Sequence, residues 1–236
     1  NTHLKHINQE KNKFLGIVAH DLRNPLGNIN AFSDYLINEN KGKVSTELID
    51  ILSLIKKLSS NTMSVLDNLL DISKIESGKI ELSLQSEDLI DFIKQHIHFN
   101  QRLAKQKQIV INYSSNLKKI ITKFDNKHLS EVIDNLLSNA IKYSKPNSEI
   151  VVKISQMENK KILTEIIDSG VGIPEAEQKK LFRYFQTAST KPTAGEKSTG
   201  LGLAIAKQLI NLHRGEIGLK SSEKNGSNFY FTLPII

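Results

Sequence analysis

The sequence contains no cysteine and no tryptophan, only 5 prolines, and 6% aromatic residues among its 236. Without thiols, disulfides, thiolate metal sites and cysteine nucleophiles are excluded, and any metal must sit on oxygen or imidazole. No apolar run approaches the roughly 18 residues needed to span a bilayer, and no secretory leader pattern opens the chain. The expectation is a cytoplasmic portion. Asn1 stands where an initiator methionine would, with an amphipathic pattern already under way, so upstream sequence carrying a sensor or membrane anchor is expected, and membrane contact only through it. A G-x-x-x-x-G-K-[ST] string is also missing, which excludes a Walker-type phosphate loop. There is no Lys/Arg-rich run and no recognisable nucleic-acid motif, so no nucleic-acid partner is expected.

Apolar residues make up 39% of the chain and charged residues 24%, enough for two modest globular domains. The formal net charge of +7 is unevenly placed: 9 of the 32 basic and 9 of the 25 acidic residues lie in 1–78, leaving 23 and 16 for 79–236. A basic second domain suits a polyphosphate, an anionic lipid or a nucleic acid. Leu15, Val18, Leu22, Leu26, Ile29, Phe32 and Leu36 alternate three and four residues apart, marking one face of a long helix. Asn38–Lys43, with Gly42, breaks it. The same spacing resumes with Leu48, Leu52, Ile55, Leu58, Thr62, Val65, Leu69 and Ile72, and Gly78 is placed to cap the end. A hairpin with one apolar stripe cannot enclose a core, so a homodimeric four-helix bundle is expected.

Beyond Gly78 the pattern mixes short strands (80–84, 109–113, 120–124, 149–155, 162–168, 215–221 and 228–233) with helices near 88–106, 125–143 and 200–213. That order predicts an α+β domain with mixed sheet pairing. The irregular stretch 187–199, rich in Thr, Ser, Lys and Gly, reads as a mobile loop.

With Leu15 and Leu22 at heptad position a and Val18 at d, His20 falls at f, away from the bundle seam. Asp21 follows it, and Pro25 removes the helical hydrogen bond that the Asp21 carbonyl would accept. A proline inside so strong a pattern costs about 3 kcal/mol, which points to function. An imidazole nucleophile needs one nitrogen free and the other held by an acceptor, and Asp21 is the candidate acceptor. A lone His-Asp pair on a helix is usually only a solvated charged face. The full string H-D-L-R-N-P-L, His20–Leu26, resembles the H-box of sensor histidine kinases. The resemblance implies that His20 is the phosphorylated residue, that Asp21 orients or deprotonates it, and that Asn24 positions water when the kinase dephosphorylates its regulator.

In D-N-L-L-S-N-A-I-K-Y-S, residues 134–144, Asn135 and Asn139 share a helix face, with Lys142 three residues on; amide oxygens suit Mg²⁺. D-S-G-V-G, residues 168–172, follows a predicted strand and joins a carboxylate to a flexible turn. G-L-G-L-A-I, residues 200–205, opens a helix whose free N–H groups can cradle phosphates. Each string alone is weak: solvated asparagines and a plain turn are the more common explanations. Their order, with the Phe-rich L-F-R-Y-F between the last two, resembles the N, G1, F and G2 boxes of the histidine-kinase ATP-binding domain over residues 80–236. That superfamily is shared with gyrase, MutL and a heat-shock chaperone.

This resemblance implies an α/β sandwich of the Bergerat type, with ATP and Mg²⁺ as cofactors. It implies Asn139 on the metal, Asn135 and Lys142 near the phosphates, Tyr143 by the base and Asp168 on the adenine amine. Gly170, Gly172, Gly200, Leu201, Gly202 and Leu203 would complete the nucleotide site, Phe182 and Phe185 would anchor a lid, and Lys191 and Lys197 would reach the phosphates. Arg183 reads equally as a phosphate ligand or a surface cation. His3, His6, His96, His98, His128 and His213 read as structural or solvent-facing.

The expected organisation is a dimerisation and phosphotransfer domain, 1–78, and a catalytic ATP-binding domain, 79–236. The expected function is autophosphorylation of His20 and transfer to an aspartate of a response regulator receiver domain. The alternative, an ATP-hydrolysing conformational switch, is disfavoured because Asn135 stands where hydrolysing relatives of that superfamily carry a glutamate base, and an amide cannot take a proton from water.

Overall fold

A computed structural model describes residues 2–39, 44–158, 160–193, 196, 198–223 and 225–235. Gly42 and Lys197, the expected helix breaker and phosphate ligand, lie outside them, as do the side chains of His3, His6 and Leu15. The chain forms two compact units, Asn1–Glu81 and Leu82–Ile236.

The first unit is a hairpin of α1 (Thr2–Glu39) and α2 (Thr46–Glu76). Ser45 caps α2 by accepting the Leu48 N–H at 3.3 Å. Gly78, with φ +65°, ends it: its N–H donates to Ile75 O and that of Lys79 to Lys74 O, the paired bonds of a Schellman turn. Pro25 lies within α1. The residues buried between the helices are small or hydroxylated as often as apolar: Ala19, Ser33, Ser59, Leu66, Ile72 and Ser73. Ser59 Oγ donates to the Leu26 carbonyl at 2.6 Å, and Arg23 pairs with Asp67 across the hairpin. Much of the predicted apolar stripe stays uncovered in the single hairpin: Leu22, Ile29, Phe32, Leu36, Leu48, Ile55 and Leu58 are all exposed.

The second unit has the order β1 (Gln85–Asp88), α3 (Leu89–Lys105), β2 (Val110–Ser115), β3 (Ile121–Phe124), α4 (Asn126–Tyr143), β4 (Glu149–Gln156), β5 (Lys161–Asp168), α5 (Glu175–Gln178), α6 (Gly202–Leu212), β6 (Ile217–Ser221) and β7 (Ser227–Pro234). The first strand lies at 85–88, not 80–84, and pairs antiparallel with β3. Its position is set by Asp88, which ends the strand and caps α3 by accepting the Ile90 N–H at 3.1 Å. The main sheet has the order β2-β4-β5-β7-β6, with β2 and β4 parallel and the other pairs antiparallel.

Helices cover one face of this sheet. Ile150, Val152 and Ile154 of β4, Ile162, Thr164 and Ile166 of β5, and Phe229, Phe231 and Leu233 of β7 are buried in alternation. They meet Leu129, Val132, Ile133, Leu136, Leu137 and Ala140 of α4, whose three-and-four spacing makes a matching stripe, and Ala204, Ile205 and Leu209 of α6. His213, buried and neutral, ties the end of α6 to the start of α4. Its Nδ1–H donates to Leu209 O at 2.8 Å, its Nε2 accepts the Asp125 N–H at 3.0 Å, and burial lowers its pKa.

Candidate functional site

On the hairpin, His20 and Asp21 project from α1 with 70% and 71% of their side chains exposed, as heptad phase predicts. His20 Nδ1 lies 3.2 Å from Asp21 Oδ1. In the tautomer that satisfies this contact, Nδ1 carries the proton and Nε2 keeps its lone pair. Asn24, one turn on, is exposed.

In the second unit, the two-residue strand period decides where Asp168 points. It continues the buried row Ile162, Thr164, Ile166, so its carboxylate faces the helical layer at the end of β5. It is 4% exposed, and Oδ1 accepts both the Gly170 N–H at 2.9 Å and the Ser227 N–H at 3.2 Å. Burial outweighs these donors and pushes its pKa up to about 6. Pairing places Ile150, Asp168, Ser227 and Ser221 in one row across β4, β5, β7 and β6, at one end of the sheet.

The β6–β7 turn braces this carboxylate. Gly226 has φ +78°, and a Cβ there would lie 1.9 Å from the Asp168 carbonyl oxygen. Ser221 Oγ donates to Gly226 O and accepts the Ile173 N–H, while Gln178 donates to the carbonyls of Ile173 and Ser221. The space that Gly172 leaves is filled by this turn, since a Cβ would meet Ser222 O at 2.0 Å, and Gly170 makes room for the Tyr143 carbonyl at 2.6 Å. Both glycines serve protein–protein approach.

Asn135, Asn139 and Lys142 lie on one half-buried flank of α4 beside its core stripe. Asn135 sits under the first turn of α6, where a Cβ on Gly202 would come 2.7 Å from its Oδ1. That helix starts with Leu201 as N-cap and no side-chain cap bond. Leu201 is fully buried and Leu203 half-buried. Gly200 lies against the backbone of Phe185 and Gln186. Burial lowers the Lys142 pKa and raises that of Tyr143.

The Phe-rich stretch departs from expectation. Leu181 is its buried residue, Phe182 is half-buried with Lys207 Nζ 6.0 Å from its ring centroid, and Phe185 is 63% exposed. Phe185 has φ +60°, a conformation a bulky side chain rarely adopts, and the backbone turn aims its ring outward. Arg183 and Lys191 are exposed. Two residues of the 187–199 stretch are tied down: Ser189 N–H donates to Glu177 at 2.8 Å, and Thr193 Oγ1 donates to the carbonyls of Lys142 and Ser144.

Sequence reasoning missed Thr193 and Gly226. Only the last had a local signal: Asn225-Gly226 between two strands marks a hairpin turn.

Comparison with known proteins follows this division. The family described as His Kinase A (phospho-acceptor) domain matches residues 10–78, and that described as Histidine kinase-, DNA gyrase B-, and HSP90-like ATPase matches residues 124–236. The chain belongs to the sensor histidine kinases. It is 31% identical over 229 residues to the circadian input-output histidine kinase CikA of Synechococcus elongatus, covering 96% of the chain and 30% of that protein. It is 31% identical over 243 residues to the uncharacterized sensor-like histidine kinase ycf26 of Porphyra purpurea, covering 97% and 36%. The chain thus spans about a third of the length of these relatives. Full-length ShkA in complex with AMPPNP shares its fold, with a TM-score of 0.77 at 22% identity over 94% of this chain and 45% of that one. The catalytic domain of histidine kinase ThkA matches with a TM-score of 0.57 at 26% identity, covering 65% and 96%. Among the described residues no helix is long and apolar enough to cross a membrane.

Proposed function

We propose that this kinase core uses ATP to phosphorylate His20 and passes the phosphoryl group to an aspartate on the receiver domain of a response regulator. The observation that carries the reading is the exposed His20–Asp21 pair, on a chain whose second unit has an ATPase fold. In this reading residues 1–78 dimerise and display the histidine, and residues 79–236 hold ATP. The outward-facing apolar stripe of the hairpin is the surface that a second copy would bury.

The residues at the end of the sheet fit an adenine nucleotide. Asp168 Oδ1 is occupied by backbone donors, so Oδ2 is available to an exocyclic amine. Tyr143 lies beside it, close to Gly170. Asn135, Lys142 and the first turn of α6 offer donors and positive charge to the phosphates, with Gly202 letting that turn sit close to Asn135. Among the described residues no three acidic or imidazole groups converge on a metal cage. Mg²⁺ would therefore be shared between phosphate oxygens and Asn139, and when bound it neutralises charge on the transferred group.

His20 Nε2 attacks the γ-phosphorus in line, a P–N bond forms, and the bond to the β–γ bridging oxygen breaks to release ADP. Asp21 holds the Nδ1 proton and stabilises the imidazolium that forms. Incubation with γ-labelled ATP tests this: acid-labile label on the protein is expected. Sustained phosphate release with no labelled protein would favour the hydrolysing switch, which the amide of Asn135 disfavours.

Two expectations follow for single sites. Asn24→Ala leaves autophosphorylation intact and abolishes stimulated dephosphorylation of the regulator; an unchanged dephosphorylation rate rejects a role for Asn24. Asp168 binds an amine only when ionised, and its pKa in the free protein is about 6. Binding holds it ionised, so affinity is full above pH 6 and falls as pH drops through that value. Because phosphate groups titrate in the same range, adenosine is the ligand to use. It should bind about tenfold more weakly at pH 5 than at pH 7 by calorimetry.

A further inference from the structure

We infer that Asp125 is a positioning residue for phosphotransfer: its buried carboxylate pins Ser83, and so fixes where the segment that joins the two units leaves the second one. The inference rests on the reading of His20 and of the ATP site above. The Schellman turn ends the hairpin at Lys79, whose N–H donates to Lys74 O at 3.0 Å, and β1 opens at Gln85. Residues 80–84 between them belong to no helix or strand, so the joining segment can bend there. Ser83 is exposed, yet its N–H donates to Asp125 Oδ2 at 2.7 Å. That bond takes Ser83 and Leu84 out of the hinge and leaves 80–82.

Asp125 is 6% exposed and does more than a helix cap requires. Its Oδ1 caps α4 by accepting the His128 N–H at 3.0 Å, a task that serine, threonine or asparagine also performs. The second oxygen is spent on Ser83. Burial opposes the charge, yet the Asp125 pKa lies below its ordinary value, with the N–H groups of His128 and Ser83 leading the effects that lower it. The bond to Ser83 is therefore charge-assisted. The anchor is also held from a second side. The Asp125 N–H donates to His213 Nε2 at 3.0 Å, and His213 Nδ1–H donates to Leu209 O, so the pinned point belongs to the start of α4 and the end of α6 together. These are the helices that bear Asn135, Asn139, Lys142 and Gly202. A phosphoryl group held on that frame meets His20 at an effective concentration set by the length and exit direction of the joining segment.

The test compares two single variants and their combination with the unaltered chain, by calorimetry with ATP, by labelling rate as a function of ATP, and by hydrogen exchange at the Ser83 amide. Asp125→Ser keeps a capping oxygen and withdraws the one that holds Ser83. Ser83→Pro removes the donor and leaves the cap untouched. Each should cut the labelling rate at saturating ATP about fivefold, while ATP affinity stays within about twofold. Asp125→Ser should also speed exchange of the Ser83 amide without changing that of α4. The double variant should be no slower than the slower single one, since both remove the same bond. If Asp125 only caps α4, Asp125→Ser labels as fast as the unaltered chain although its Ser83 amide exchanges freely; that result overturns the inference, as do losses that multiply in the double variant. Absence of label on the unaltered chain would instead overturn the phosphotransfer reading itself.

Discussion

His20→Gln loses all acid-labile phosphate, a fall of at least about 10³-fold in labelling, and keeps its nucleotide affinity and melting temperature. The size of the effect follows from chemistry. A carboxamide nitrogen has its lone pair delocalised into the carbonyl and cannot attack phosphorus, and no other histidine among the described residues has comparable access beside a carboxylate. His96 is engaged by Asp134 and Ser130, and His213 is locked between Leu209 and Asp125. The absence of a stability effect follows from position: a side chain 70% exposed, paired with an equally exposed carboxylate, contributes little to the fold. Labelling, calorimetry and thermal melting on one preparation check all three statements. Residual label of more than a few per cent would place the acceptor elsewhere.

Asp168→Asn weakens ATP binding by about 100-fold or more, yet leaves the melting temperature unchanged or slightly higher at neutral pH. The two effects diverge because burial holds this carboxylate in an environment that disfavours its charge. Its folded-state pKa, about 6, lies above the ordinary value of 3.8, so the ionised form opposes folding above pH 6 and a neutral isostere relieves that opposition. The amide oxygen can still accept the Gly170 and Ser227 N–H groups, and its NH₂ then faces the adenine amine, donor against donor. In the proposed site the carboxylate would be kept for binding at some expense to stability, a common arrangement at functional sites. Parallel losses of affinity and melting temperature would assign Asp168 to the fold instead.

What was legible in the sequence was local. Three-and-four spacing placed α1 and α2, heptad phase put His20 in solvent, and the short motifs marked the turn after β5 that holds Asp168 and the approach of Gly202 to Asn135. What was not legible depended on long-range packing. β1 begins five residues later than the apolar run at 80–84 suggests, because pairing with β3 and the cap at Asp88 decide where a strand forms. The apolar stripe of α1 and α2 reads as one that a hairpin cannot enclose, and much of it is exposed on the single chain; the small and hydroxylated residues Ala19, Ser33, Ser59 and Ser73 among the buried positions had no such signal. The family resemblance implies Phe185 as an anchor, but a left-handed backbone conformation leaves it exposed. Ser83 and Asp125 are 42 residues apart, and neither carries a motif. Only the folded chain brings them together at the start of α4.

The central claim is that the γ-phosphoryl group of ATP ends on His20. It is tested most directly by incubating the unaltered chain with Mg·ATP, digesting at neutral pH and locating phosphate by fragmentation mass spectrometry, with inorganic phosphate followed in parallel. The account predicts one phosphoryl group on the imidazole of His20, formed before any comparable release of free phosphate. Phosphate accumulating over many turnovers with an unmodified His20, or phosphate on another residue, would contradict it.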